Sequence, residues 1–134
     1  MKNNNLNFLI TNKPLNIKEL IDSFYNKLYD STGTILIHHG KAKYPGKYIK
    51  NYKHIIISLL VKENEIKENL LTIINKYNIN KIHIAHRIGI IYKNEAILFI
   101  AAEATERNSG FNCIREILEY MKQDNIFLLK EISF

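Results

Sequence analysis

Apolar positions fall at helical spacing in three stretches of this chain and at strand spacing in the segments between them. Ile17, Leu20, Ile21, Phe24 and Leu28 recur three and four apart, which puts them on one stripe of a helix. Asn16 stands where an N-cap belongs, with Glu19 three residues on, so the helix starts there and is predicted to end between Asp30 and Gly33. Thr34 to His38 reads as a short strand broken at Gly40, and Asn3 to Asn7 as a polar lead-in. Ile55 to Val61 is continuously apolar and β-branched, the pattern of a strand covered on both faces. Glu63 to Tyr77, with Ile66, Leu70, Ile73 and Tyr77, is a second amphipathic helix. Lys81 to His86 alternates around Ile82 and Ile84, Gly89 marks a turn, and Glu95 to Ala102 is a buried strand. Phe111, Ile114, Leu118 and Met121 define a third helix that begins at Arg107 and ends at Lys122, and Ile126 to Phe134 closes the chain as a strand. Strands clustered around helices predict an α+β fold with a largely antiparallel sheet.

A length of 134 residues fits a single domain, 1–134, large enough to bury a core without staples. The two prolines, Pro14 and Pro45, lie far apart and mark no linker. Every apolar run falls well short of the roughly 20 residues that cross a bilayer, so no membrane role is expected. The Met1 to Asn5 start lacks the features of a secretory leader, and a cytoplasmic location is expected. Cys113 is the sole cysteine, so neither an internal disulfide nor a four-thiolate zinc site can form. The net charge of +6 favours anionic ligands.

The charge is concentrated. From Ser31 to Lys62 there is no acidic residue, while Lys41, Lys43, Lys47, Lys50 and Lys53 interleave with Tyr44, Tyr48 and Tyr52. Lysine plus aromatic is the composition of a nucleic-acid surface, and equally of a solvated loop. His38, His39, His83 and His86 are spread along predicted strand ends; His83 and His86, three apart in a strand, point to opposite faces and cannot share a metal ion unless the strand breaks between them. His86 and Arg87 before Gly89 can clamp an anion or carboxylate, or make an ordinary ion pair. Lys122, at a helix C-terminus, is either a dipole-compensating surface residue or, with positive neighbours lowering its proton affinity, a chemical amine.

The order of these pieces resembles the large, catalytic subunit of molybdopterin synthase from about Ile10 to Glu131. Ile10-x3-Pro14-Leu15-Asn16-Ile17-x2-Leu20 is similar to the family's first segment. Gly40-Lys41-Ala42-Lys43 resembles its Gly-x-x-Arg turn, with Lys43 in place of Arg. His86-Arg87-Ile88-Gly89-x5-Glu95 resembles its His-Arg-x-Gly element, Arg107-x3-Phe111 and Met121-Lys122 its helix start and end, and Lys130-Glu131 its Lys-Glu terminus. Glu106 stands where the family has His, and Leu129 where it has a second catalytic lysine.

The resemblance implies an α/β hammerhead fold and a homodimer carrying a small ubiquitin-like sulfur carrier at each end, a heterotetramer. The carrier's Gly-Gly thiocarboxylate would give sulfur to a cyclic pyranopterin monophosphate, forming molybdopterin, with no metal or redox cofactor. Lys122 is then the principal catalytic amine, with Lys130 a substitute for the missing lysine if a bulge reverses its face. Arg107, Lys43, Lys41, His86 and Arg87 would hold phosphate or carboxylate. The alternatives are a homologue that only binds a partner and, behind it, a basic nucleic-acid-binding module.

Overall fold

A computed structural model describes residues 5–134. The chain runs β1 (Leu6–Thr11), α1 (Ile17–Tyr25), β2 (Thr34–Lys41), β3 (His54–Leu59), α2 (Glu63–Ile74), β4 (Ile79–Arg87), β5 (Gly89–Ile91), β6 (Ala96–Ala104), α3 (Arg107–Met121) and β7 (Phe127–Ile132). One sheet has the order β1-β4-β6-β2 and is antiparallel except for the parallel β1–β4 pair; a second, β5-β3-β7, is antiparallel throughout. The fold is therefore α+β and mainly antiparallel, as the pattern predicts.

The two-residue period of the strands decides what each layer buries. Along β6, Ile100, Ala102 and Ala104 face the main core with α2 and α3, while Phe99 and Ala101 face a smaller core with Phe24 of α1. The four-stranded sheet is thus covered on both sides, and α3 lies across β6 and β2. The second sheet adds Ile55, Ile57, Ile91 and Phe127 to the main core.

Several boundaries differ from the sequence reading. The lead-in is in fact β1, with Leu6, Phe8 and Ile10 turned to the main core and Asn7 and Leu9 outward; Asn3 and Asn4 lie outside the described residues. Helix α1 is capped by Asn16, whose Oδ1 accepts from the Glu19 N–H at 3.1 Å, but it stops at Tyr25 rather than near Gly33. The cause is Glu103, which is wholly inaccessible on β6. Its carboxylate accepts from the Tyr29 N–H at 2.8 Å and the Thr32 hydroxyl at 2.7 Å, and pairs with Lys81 at 3.0 Å. A buried charge demands such partners, so residues 29–32 wrap around it instead of continuing the helix. Lys81 in turn donates to the Phe24 and Lys27 carbonyls freed at the end of α1. Strand β3 is not covered on both faces: Ile55 and Ile57 are buried while Ser58 is exposed, because its sheet packs on one side only. Gly89, expected as a turn, opens the short strand β5 with φ +88°, a left-handed conformation that glycine adopts without strain.

Candidate functional site

The α3 register that buries Cys113, Ile114, Ile117 and Met121 leaves Lys122 as the exposed C-cap residue, its N–H bonded to the Leu118 carbonyl. A cation there faces the negative end of the helix dipole. Beside it opens a cavity of about 340 Å³ at the seam of the two sheets, floored by Ile57, Ile97, Leu98, Met121 and Phe127 and rimmed by His38, Lys41, Lys122 and Asp124, with His86 and Leu129 in its walls. The Gly40/Lys41 register shift bends the end of β2 at this rim, and Lys41 Nζ donates to Asn94 Oδ1 at 2.6 Å.

His86 is buried, stacked flat on Phe127 at 3.7 Å between ring centroids, with Nδ1 2.8 Å from the Arg87 carbonyl. That carbonyl can only accept, so Nδ1 carries the hydrogen and Nε2 keeps a lone pair. Burial pushes the imidazole's pKa down to about 4 against the favourable backbone contact, and the ring is neutral near pH 7. His38 is also held below the ordinary histidine value, by burial first and then by the charges of His39 and Lys122.

Lys122, Lys41 and His86 therefore meet in one cavity, whereas the other sequence-derived candidates lie elsewhere. Lys130 pairs with Ile56 and Leu129 with Ile57 in an unbroken ladder, so Lys130 projects from the face opposite Leu129 and does not line the cavity. No bulge precedes it to reverse that geometry. Arg107 is exposed at the start of α3, fifteen residues or about 22 Å of helix from Lys122. Lys43 is exposed outside the cavity and presents its carbonyl to the Tyr52 hydroxyl at 2.8 Å. Arg87 is not an open anion clamp: its guanidinium is buried, bonded to Glu95 at 3.1 Å and to the Ile90 carbonyl at 2.8 Å. Glu95 is held below the usual carboxylate range by the Tyr92 N–H first and then, against burial, by Arg87.

His38 is the cavity residue that sequence reasoning passed over as a site. The available signal was strand alternation, which puts His38 on the same face of β2 as Leu36 and Gly40, toward α3. Among the described residues, no group of three His, Cys, Asp or Glu side chains could hold a metal ion, and no helix is long and apolar enough to cross a membrane. His83 packs edge-on against Phe24 at 5.2 Å on the α1 side of the sheet, away from His86. Cys113 is buried in the main core, and burial pushes its thiol up to about 12.

Comparison with known proteins follows the same outline. The profile of the family described as MoaE protein matches residues 10–124. A molybdopterin synthase catalytic subunit of Caulobacter vibrioides is 33% identical over 58 residues, a match that spans 43% of this chain and 39% of that relative's length. Molybdopterin synthase from Staphylococcus aureus superposes with a TM-score of 0.75 at 19% identity, covering 100% of this chain and 93% of that one. In a complex of subunits 1 and 2 of the molybdopterin-converting factor from Helicobacter pylori, the similar chain gives a TM-score of 0.72 at 13% identity, covering 96% and 88%. At these identities the structural likeness establishes the fold.

Proposed function

The chain belongs to the MoaE protein family, and from that premise we propose that it is the catalytic subunit of a molybdopterin synthase. In this reading a small carrier protein delivers sulfur, as a C-terminal thiocarboxylate, to a cyclic pyranopterin monophosphate. The observation that carries the reading is Lys122 at the rim of a cavity with an apolar floor, where Lys41 and Lys122 stand against a single carboxylate, Asp124. A flat pterin ring suits the floor, and its phosphate and the incoming thiocarboxylate suit Lys41 and Lys122. Lys122 holds the thiocarboxylate and stabilises charge that develops as sulfur is transferred. His86, locked by Phe127 and the Arg87 carbonyl, offers a neutral acceptor that orients a ring N–H.

Arg107 cannot reach the cavity of its own chain by way of its helix, so its part in substrate binding requires a second copy to bring it to the neighbouring cavity. That is the physical reason for tying activity to a homodimer. One observation favours the alternative of a partner-binding subunit without turnover: Leu129, in the cavity wall, occupies the position where the resemblance expects a second lysine.

The test is conversion of the pterin precursor with the cognate thiocarboxylated carrier. Lys122→Ala is expected to lower the rate by roughly 100-fold or more, while Lys130→Ala, outside the cavity, stays near wild type. A wild-type protein that binds its carrier but never turns over would establish the partner-binding reading instead.

A further inference from the structure

His38, an exposed residue near the end of β2, lines the same cavity as the α3 C-cap residue Lys122. The charged groups around it are Lys122 and Asp124 at the end of α3, Lys41 and His39 on its own strand, and His86 from β4. The elements β3, β6 and β7 send only apolar side chains into the same space. His86 has its Nδ1 committed to a carbonyl and its ring stacked and buried, so it does not exchange protons near neutral pH. Lys41 donates one hydrogen bond to Asn94 and has further donors for an anion, but as an ammonium it offers no lone pair to accept a proton. What remains in the lining with Lys122 is a solvent-accessible but partly desolvated imidazole that also feels the lysine's charge.

We propose that His38 and Lys122 form one anion-linked pair: an anion seated between them draws a proton onto the His38 imidazole, which acts as the cavity's proton acceptor and donor where Leu129 leaves no lysine. The physics is mutual. With the cavity empty, partial burial first, and then the charges of His39 and Lys122, disfavour a proton on His38; an anion seated between the pair offsets the Lys122 contribution and so raises the imidazole's proton affinity. By linkage, a proton on His38 must tighten the anion by the same factor. The step moves one proton only. The imidazole lone pair takes it from water or an acidic group of the bound substrate, and the imidazolium returns it to solvent or to the product; no bond from carbon or sulfur to the ring is made. The acid–base role rests on the synthase reading, whereas the anion linkage does not.

The test uses the full chain with inorganic phosphate as probe and the His38 ring resonances as readout. Lys122→Ala is expected to raise the His38 titration midpoint, since it removes one of the charges that hold it down. Phosphate should raise it by a similar amount in wild type and by much less in Lys122→Ala. His38→Gln should remove the acidic limb of the kcat/KM profile and lower the rate about tenfold or more. A midpoint indifferent to both phosphate and Lys122→Ala, or an unchanged pH profile in His38→Gln, overturns the proposal. If wild type shows no turnover with its carrier while the phosphate-linked titration persists, the synthase reading falls and the anion-linked pair stands.

Discussion

At the scale of single residues, His86 illustrates how burial converts a titratable group into a fixed neutral one. The ring is 5% exposed and its pKa is pushed down to about 4 from 6.5. In the unfolded chain it binds a proton as pH falls through 6.5, while the native ring stays neutral until about 4. Stability is therefore complete above 6.5 and declines between those values, by about 1.4 kcal/mol per pH unit and about 3 kcal/mol in all. The upper part of this window lies above the range in which Glu95, Glu103 and Glu131 protonate, since all three are held below the usual carboxylate value. His86→Asn, which keeps a donor for the Arg87 carbonyl, is expected to flatten the dependence of the urea midpoint on pH between 6.5 and 5.

At the scale of elements, the basic loop between β2 and β3 is shaped by one carboxylate of β7. Glu131 accepts the N–H groups of Lys47, Tyr48 and Ile49 at 2.6, 2.7 and 2.6 Å. Burial works against its charge, and these three donors together outweigh that cost. The approach is close: a Cβ on Gly46 would stand 2.2 Å from the Ile49 carbonyl oxygen and 2.7 Å from Glu131 Oε2. Glu131→Ala should speed hydrogen exchange at 47–49 and cost about 1–2 kcal/mol in denaturant unfolding, since charge-assisted bonds are lost and the N–H groups turn to water. Unchanged exchange at these amides would show that the loop holds its shape without the carboxylate. The same loop looked suited to nucleic acid, but Tyr52 is 3% exposed and packs edge-on against Tyr44 at 5.0 Å. Lys93 lies 4.5 Å from the Tyr44 ring centroid. Of the three tyrosines only Tyr48, at 79% exposure, is well exposed for stacking, which leaves little of a base-binding surface.

At the scale of the whole molecule, the cavity exists because two sheets and the end of α3 converge, while the first residue of the same helix is carried about 22 Å away. If Arg107 serves a neighbouring cavity, Lys122→Ala and Arg107→Ala homodimers will each be impaired for different reasons. A mixed dimer made from the two contains one cavity with both residues intact. Mixing and re-equilibrating the variants should therefore restore activity toward a quarter to a half of wild type, measured against each variant alone. No recovery, or a strict monomer in sedimentation at micromolar concentration, would separate Arg107 from the site.

The three helices, most of the strands and the α+β class were legible because hydrophobic periodicity reports which face of an element is buried. The placement of Lys122 was legible for a related reason: it follows the last apolar residue of a strongly periodic helix, and helix register is local. Strand β1 was not, because Asn5 and Asn12 flanking a six-residue segment, and Asn7 within it, disguise a parallel strand whose partner, β4, lies more than seventy residues along the chain. Nor was the end of α1, which depends on a buried carboxylate equally remote in sequence. Whether Arg87 clamps a ligand or Glu95, and which face Lys130 presents, are questions of partners and ladder continuity that spacing alone leaves open. His38 enters the site only when β2 is laid beside the end of α3. The sequence by itself determined the elements and their chemical inventory, because those follow from short-range sterics and amphipathic patterning; tertiary structure decided which charges meet, because an ionic group takes its partners and its proton affinity from neighbours that only folding brings near.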